Sequence, residues 1–147
     1  WWSYFTMPSG TFLQRHRSRG WVWGYGHILL FASLVGIGAG LHVAAQVISH
    51  DAHVEAWFAL VCVAVPVLVF EVMLFALYTL LVMRFDPFHI LLFTLAGILL
   101  VLSVVAVTAG ASIGAALLLV AASPAVIVVG YETVGHRHQA ELLAGED

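Results

Sequence analysis

An acid in the middle of a long apolar run is the residue in this chain best suited to chemistry. Glu71 is flanked by Phe70, Val72 and Met73. Placing an acid at the centre of a bilayer costs roughly 2.5–3.5 kcal/mol on insertion scales, so such a residue is expected to face protein or water and to carry a function. A carboxyl group there can take up and release a proton. Tyr78, seven residues on, shares its helix face and can hydrogen-bond a group that Glu71 brings close. A path reading requires a hydrated cleft beside Glu71. The competing reading is an acid bonded to a neighbouring helix for packing alone, and the residue types do not separate the two.

Two histidines could extend that chemistry. His27 and His42 lie about 60° apart on a helical wheel at 100° per residue. Counting 1.5 Å per residue puts His42 about 10 Å from the midplane on one side and His27 about 13 Å away on the other. A column His27–Glu71–His42 would suit proton movement; three independently satisfied polar groups would have the same spacing. The segment His50-Asp51-Ala52-His53-Val54-Glu55 has residue types that ligate divalent metals. Solvation is the ordinary state of loop histidines, for these as for His136 and His138, and no metal is assigned. Arg84 with Asp86, and Glu132 with His136, are expected as interfacial ion pairs of small energetic value. No nucleophile–base set, phosphate loop or cofactor fingerprint is present, so neither an enzyme nor a cofactor is expected.

These residues need helices to hold them, and the composition says which kind. At 63% hydrophobic and 9% charged residues, the chain is far from the globular mix of about 25% charged. Four apolar stretches, residues 22–48, 54–83, 88–109 and 113–134, each exceed the roughly 20 helical residues that cross a bilayer. The apolar runs do not alternate as the wall of a membrane barrel does. As one helix, residues 88–130 would be about 64 Å long, so the chain must turn back near Thr108–Gly114. The expected fold is an all-α membrane protein whose four transmembrane helices form two consecutive hairpins within a larger bundle. Residues 1–20 are expected to hold the end of a preceding helix and a basic loop, residues 21–134 the four spans, and residues 135–147 a tail. Pro66 and Pro124 each fall inside the second helix of a hairpin, where proline kinks the chain.

All five basic residues are arginines, and the cuts between stretches place them on one side. Arg15, Arg17 and Arg19 precede the first stretch, Arg84 joins the second to the third, and Arg137 follows the fourth. Cytoplasmic loops carry the basic excess, so both ends of the segment are expected in the cytoplasm. Trp21, Trp23 and Tyr25 mark one interface, Trp57 and Phe58 the other. The net charge of −3 comes without a basic patch, which argues against nucleic acid as a partner. The lone Cys62 lies inside a span and excludes an intramolecular disulfide.

The first span also carries Ala32, Gly36, Gly40 and Ala44 at four-residue spacing. Small side chains let backbones approach, so this ridge is expected to make a helix–helix contact. With His27 and His42 on the side away from the ridge and Gln46 on their flank, protein is expected on both sides of this span.

Trp1-Trp2-Ser3-Tyr4-Phe5, a short basic loop, Gly24-Tyr25-Gly26-His27, Gly36-Ile37-Gly38-Ala39-Gly40-Leu41 and Val65-Pro66-Val67 together resemble the bacterial low-temperature-requirement protein A family. The resemblance covers most of residues 1–85 and continues beyond only in hydropathy. It implies a polytopic protein of the bacterial inner membrane, longer than this chain, with the present residues in its C-terminal half and its N-terminal half as a partner. Relatives tend to carry an acid where Thr6 stands and another near His42, so ion handling that depends on either would be altered here. The lipid bilayer is the expected surrounding, with a homo-oligomer left open. Two functions follow: a transporter- or channel-like role for protons or a small solute, lined by Glu71, His42, His27 and Tyr78, or a structural and adaptive role in cold growth or membrane stress without transport.

Overall fold

A computed structural model of the chain describes residues 2–5, 10, 13–14, 17–51, 53–82 and 87–135. A short helix α1 (Trp2–Phe5) precedes a 3-10 turn at Arg17–Arg19 and four long helices: α2 (Gly20–Ile48), α3 (Ala56–Val82), α4 (Pro87–Thr108) and α5 (Ile113–Gly130). A π-helical turn, Tyr131–Gly135, extends α5. There is no strand among the described residues. All four long helices are long and apolar enough to cross a membrane, at bounds within about two residues of those expected, apart from the end of the fourth. Arg15, Arg84 and Arg137, the pairs Arg84–Asp86 and Glu132–His136, and His138 involve positions outside the described residues.

The two hairpins close with the same backbone device. At the end of α2, Asp51 N–H donates to Gln46 O and His50 N–H to Val47 O, with His50 at φ 64°. At the end of α4, Ala111 N–H donates to Ala106 O and Gly110 N–H to Val107 O, with Gly110 at φ 96°. Both are Schellman closures, in which one left-handed residue turns the chain and satisfies the last carbonyls. Ser112 then caps α5, its hydroxyl accepting from Ala115 N–H at 3.3 Å. This is why residues 108–113 turn back so tightly. The left-handed region penalises a side chain and favours glycine. Gly110→Ala should therefore destabilise the protein by about 1 kcal/mol, and His50→Gly should stabilise it by a similar amount. Thermal unfolding in detergent checks both; equal midpoints for the two variants would contradict the assignment.

Helix α3 is the centre of the bundle. Half of its most apolar 18-residue window is buried, against 22–28% for the other three helices. On one side it takes α2, on the other the α4–α5 hairpin. The α2 stripe facing it is Gly26, Leu30, Ser33, Ile37, Gly40 and Ala44. Those steps alternate between four and three residues and average 3.6, the α-helical repeat that keeps a stripe on one face of a straight helix. A strict four-residue ridge drifts about 40° per step at 100° per residue. For that reason Gly36, Gly40 and Ala44 join the contact while Ala32, the first of the expected ridge, is exposed.

The close approach has its own chemistry. Pro66 lacks an N–H, so the Cys62 carbonyl four residues back loses its helical donor. A Cβ built on Gly40 would collide with that Cys62 oxygen, with its carbonyl carbon and with Val63 N. One Gly40 α-hydrogen thus points at the freed carbonyl, a weak Cα–H···O contact worth about 0.5–1 kcal/mol. Gly36 sits over the proline ring, where a Cβ would lie 3.1 Å from Pro66 Cβ and Cγ.

Around the outside the bundle presents large apolar side chains such as Val35, Val101 and Leu118, each more than 60% exposed. A bilayer is the surrounding in which that surface is stable. Trp21 and Tyr25 are exposed at the end bearing Arg17 and Arg19 (the basic end), and Trp57 and Phe58 at the opposite end, as two aromatic belts would be.

Candidate functional site

Glu71 points from α3 into the α4–α5 hairpin and is fully buried. Ser123 of α5 donates its hydroxyl to Glu71 Oε1 at 2.5 Å and also stands 3.2 Å from the Ala96 carbonyl of α4. Three helices therefore meet at one polar junction. Ser123 has a single proton for two acceptors. When the acid is ionised, that proton goes to Glu71. When the acid is protonated, Glu71 donates to Ser123 Oγ and Ser123 is released to the Ala96 carbonyl. The junction has two hydrogen-bonding arrangements, selected by one proton.

The second carboxyl oxygen distinguishes this site from ordinary packing. Glu71 Oε2 is buried and has no hydrogen-bond partner among the described residues. A buried polar atom left in that state costs about 1–3 kcal/mol. The hydrated cleft expected beside Glu71 is absent among the described residues: the side chain is sealed at the three-helix contact. A groove of about 710 Å³ lies between α3 and α4 on the outer face, lined by apolar groups including Val65, Leu68, Ile98 and Val101. It does not include Glu71 or Ser123.

The expected column of histidines is not formed. His42 is exposed, because it sits two residues, about 200° of helical turn, from the buried Gly40. Gln46 is exposed with it, so the second protein-covered side expected for the first span is open here. His27 is half-buried and engaged elsewhere: Nδ1 lies 2.6 Å from the Trp23 carbonyl and Nε2 lies 2.8 Å from the Tyr4 hydroxyl. The carbonyl can only accept, so Nδ1 donates to it and Nε2 accepts from Tyr4. Burial pushes the Tyr4 phenol above its ordinary value, which keeps it a donor. Trp2 Nε1 donates to Glu132 Oε1 at 2.9 Å, so α1 clasps the basic ends of α2 and α5 together. The loop residues His50, Asp51, His53 and Glu55 form no metal-sized cluster, nor does any other group among the described residues.

Tyr78 is buried two turns below Glu71, stacked on His89 of α4 with ring centroids 4.3 Å apart. Tyr131, beyond α5, meets the same imidazole edge-on at 5.4 Å. Ser123, His89 and Tyr131 are site residues that the sequence reading passed over. Ser123 is a hydroxyl next to Pro124 in an otherwise apolar run, and His89 is a titratable group inside a span; both signals were available.

Four apolar crossings around a buried polar junction define an integral membrane protein of the helical-bundle class. The sequence matches the family described as bacterial low temperature requirement A protein over residues 1–123. The chain belongs to that family. No curated protein and no solved structure matched it.

Proposed function

We propose that this chain is the proton-handling part of a transporter- or channel-like protein of the bacterial inner membrane, with its basic end in the cytoplasm. One observation carries the proposal: Glu71 Oε2 is buried in the apolar core without a partner among the described residues. An acid kept only for packing is expected to have both oxygens bonded, since a half-satisfied polar group is worse than an apolar side chain of the same size. Intramembrane acids mark ion and proton paths by default. The sealed junction is then the closed state, and opening must bring solvent to Glu71. Protons, or a small solute moved with them, are the cargo.

The test is reconstitution of the full-length protein into liposomes containing a pH-sensitive dye. Glu71→Gln should reduce proton flux to that of empty liposomes while the variant elutes as a monodisperse folded protein in detergent. Wild-type flux from Glu71→Gln would remove the proposal.

A structural role in cold growth or membrane stress is the second reading, favoured by the Gly36 and Gly40 docking on α3 and by the closure around Glu71. It anticipates no flux above background from either protein.

A further inference from the structure

Helices α3, α4 and α5, the last together with the turn that extends it, contribute one residue each to three successive layers. The first is the junction of Glu71, Ala96 and Ser123, all fully buried. One turn nearer the basic end, Leu74, Leu92 and Ile127 fill the space between the helices with buried apolar side chains. A Cβ on Gly130 would collide with the end of Leu92, so α4 and α5 are in close contact here. One turn further stand Tyr78, His89 and Tyr131, also buried. Leu77, beside Tyr78, packs against Gly26 in the second turn of α2, which places this third layer at the basic end. Seven residues separate Glu71 from Tyr78 and Ala96 from His89, about 10 Å along the axis at 1.5 Å per residue.

Two polar layers are thus separated by one apolar layer. The third layer contains an imidazole, the side chain suited to passing a proton from one of its nitrogens to the other near neutral pH. Among the described residues, the titratable groups whose rings meet His89 include Tyr78 from α3 and Tyr131 from the turn beyond α5, and Phe75 and Phe88 also make ring contacts with it. Neither tyrosine brings a fixed charge to compete with an imidazolium.

We propose that His89 is the group through which Glu71 exchanges protons with solvent at the basic end, and that Leu74, Leu92 and Ile127 are the closed gate between them. This rests on Glu71 being the proton carrier. A hydronium ion at the basic end gives a proton to one nitrogen of the neutral imidazole and is left as water. When the leucines and isoleucine part, a file of water enters, and the imidazolium releases the proton from its other nitrogen into that file. The last water delivers it to the Glu71 carboxylate. His89 returns to the neutral form, the acid is neutralised, and no electron changes place. Tyr78 and Tyr131 are positioning residues that hold the imidazole between the helices.

The experiment uses the full-length protein in liposomes with two readouts: dye-reported proton flux, and infrared detection of the Glu71 carboxyl band as its proton exchanges for deuterium. Glu71→Gln identifies the band and gives the flux background. His89→Gln should slow both flux and carboxyl exchange about tenfold or more. Ile127→Ser, which leaves the imidazole in place and opens the apolar layer, should speed both. Wild-type exchange and flux in His89→Gln would overturn the role of His89, and an unchanged Ile127→Ser would overturn the gate; neither result touches Glu71. Wild-type flux in Glu71→Gln would instead remove the underlying reading, and this inference with it.

Discussion

Adding one methyl group at Gly40 should destabilise the protein by about 2–3 kcal/mol, the largest effect of any glycine-to-alanine change in the fold. The atoms in its way are the Cys62 carbonyl and Val63 N of α3, which are backbone and cannot rotate aside. Relief requires α2 and α3 to move apart, and that loosens the whole seam from Gly26 to Ala44. Lipid tails are as apolar as the side chains they would replace, so the seam is held by close packing and has no hydrophobic term to fall back on. Separation also removes the Cα–H···O contact and leaves the carbonyl freed by Pro66 without a donor. Two neighbouring glycines are internal controls. Gly38 faces open space, so Gly38→Ala should stay within about 0.5 kcal/mol of wild type. Gly36 meets a proline ring at 3.1 Å, and Gly36→Ala should fall between the two. Denaturant titration in mixed micelles gives the order; a Gly40→Ala variant as stable as Gly38→Ala would show that the helices are not in contact there.

The same seam shows what the chain discloses when read alone. Hydropathy located all four spans because a bilayer requires about 20 apolar residues and nothing else in this composition competes. The turn near Gly110 was legible because a single helix over residues 88–130 would be about 64 Å long, twice the apolar thickness of a bilayer. Gly36, Gly40 and Ala44 lie in the contact and Ala32 does not, because the seam alternates steps of four and three where the four-residue ridge drifts away, a difference that only the partner helix reveals. Glu71 was legible as an anomaly, whereas its partner was not. Ser123 is 52 residues away, and meeting it depends on the register of α5 against α3, a long-range quantity that no local pattern encodes. Tyr4 and His27 belong to two motifs recognised separately; that one donates to the other is again a matter of register. His42 was misplaced for the opposite reason: polarity alone suggested a covered face, and no covering helix lies over it among the described residues.

Stability and activity should move in opposite directions at the three-helix junction. Ser123→Ala removes the hydroxyl that serves Glu71 Oε1 and leaves the acid without a bonded oxygen, which should cost about 1–2 kcal/mol. Glu71→Leu removes the acid at similar volume, and Ser123 still donates to the Ala96 carbonyl. Replacing buried polar groups with apolar ones of matching size is often neutral or stabilising by about 1–4 kcal/mol. The double variant Glu71→Leu/Ser123→Ala should therefore exceed wild-type stability by about 1–2 kcal/mol, although Ser123→Ala alone falls below it. The non-additivity measures the coupling between the two side chains. Proton flux should be at background in Glu71→Leu and in the double variant. A protein made firmer by losing its acid, and inactive for the same reason, is one in which the half-bonded carboxyl is retained for use. If the double variant is instead less stable than wild type and still conducts, Glu71 is a packing group, and the closed junction between α3, α4 and α5 is its whole purpose.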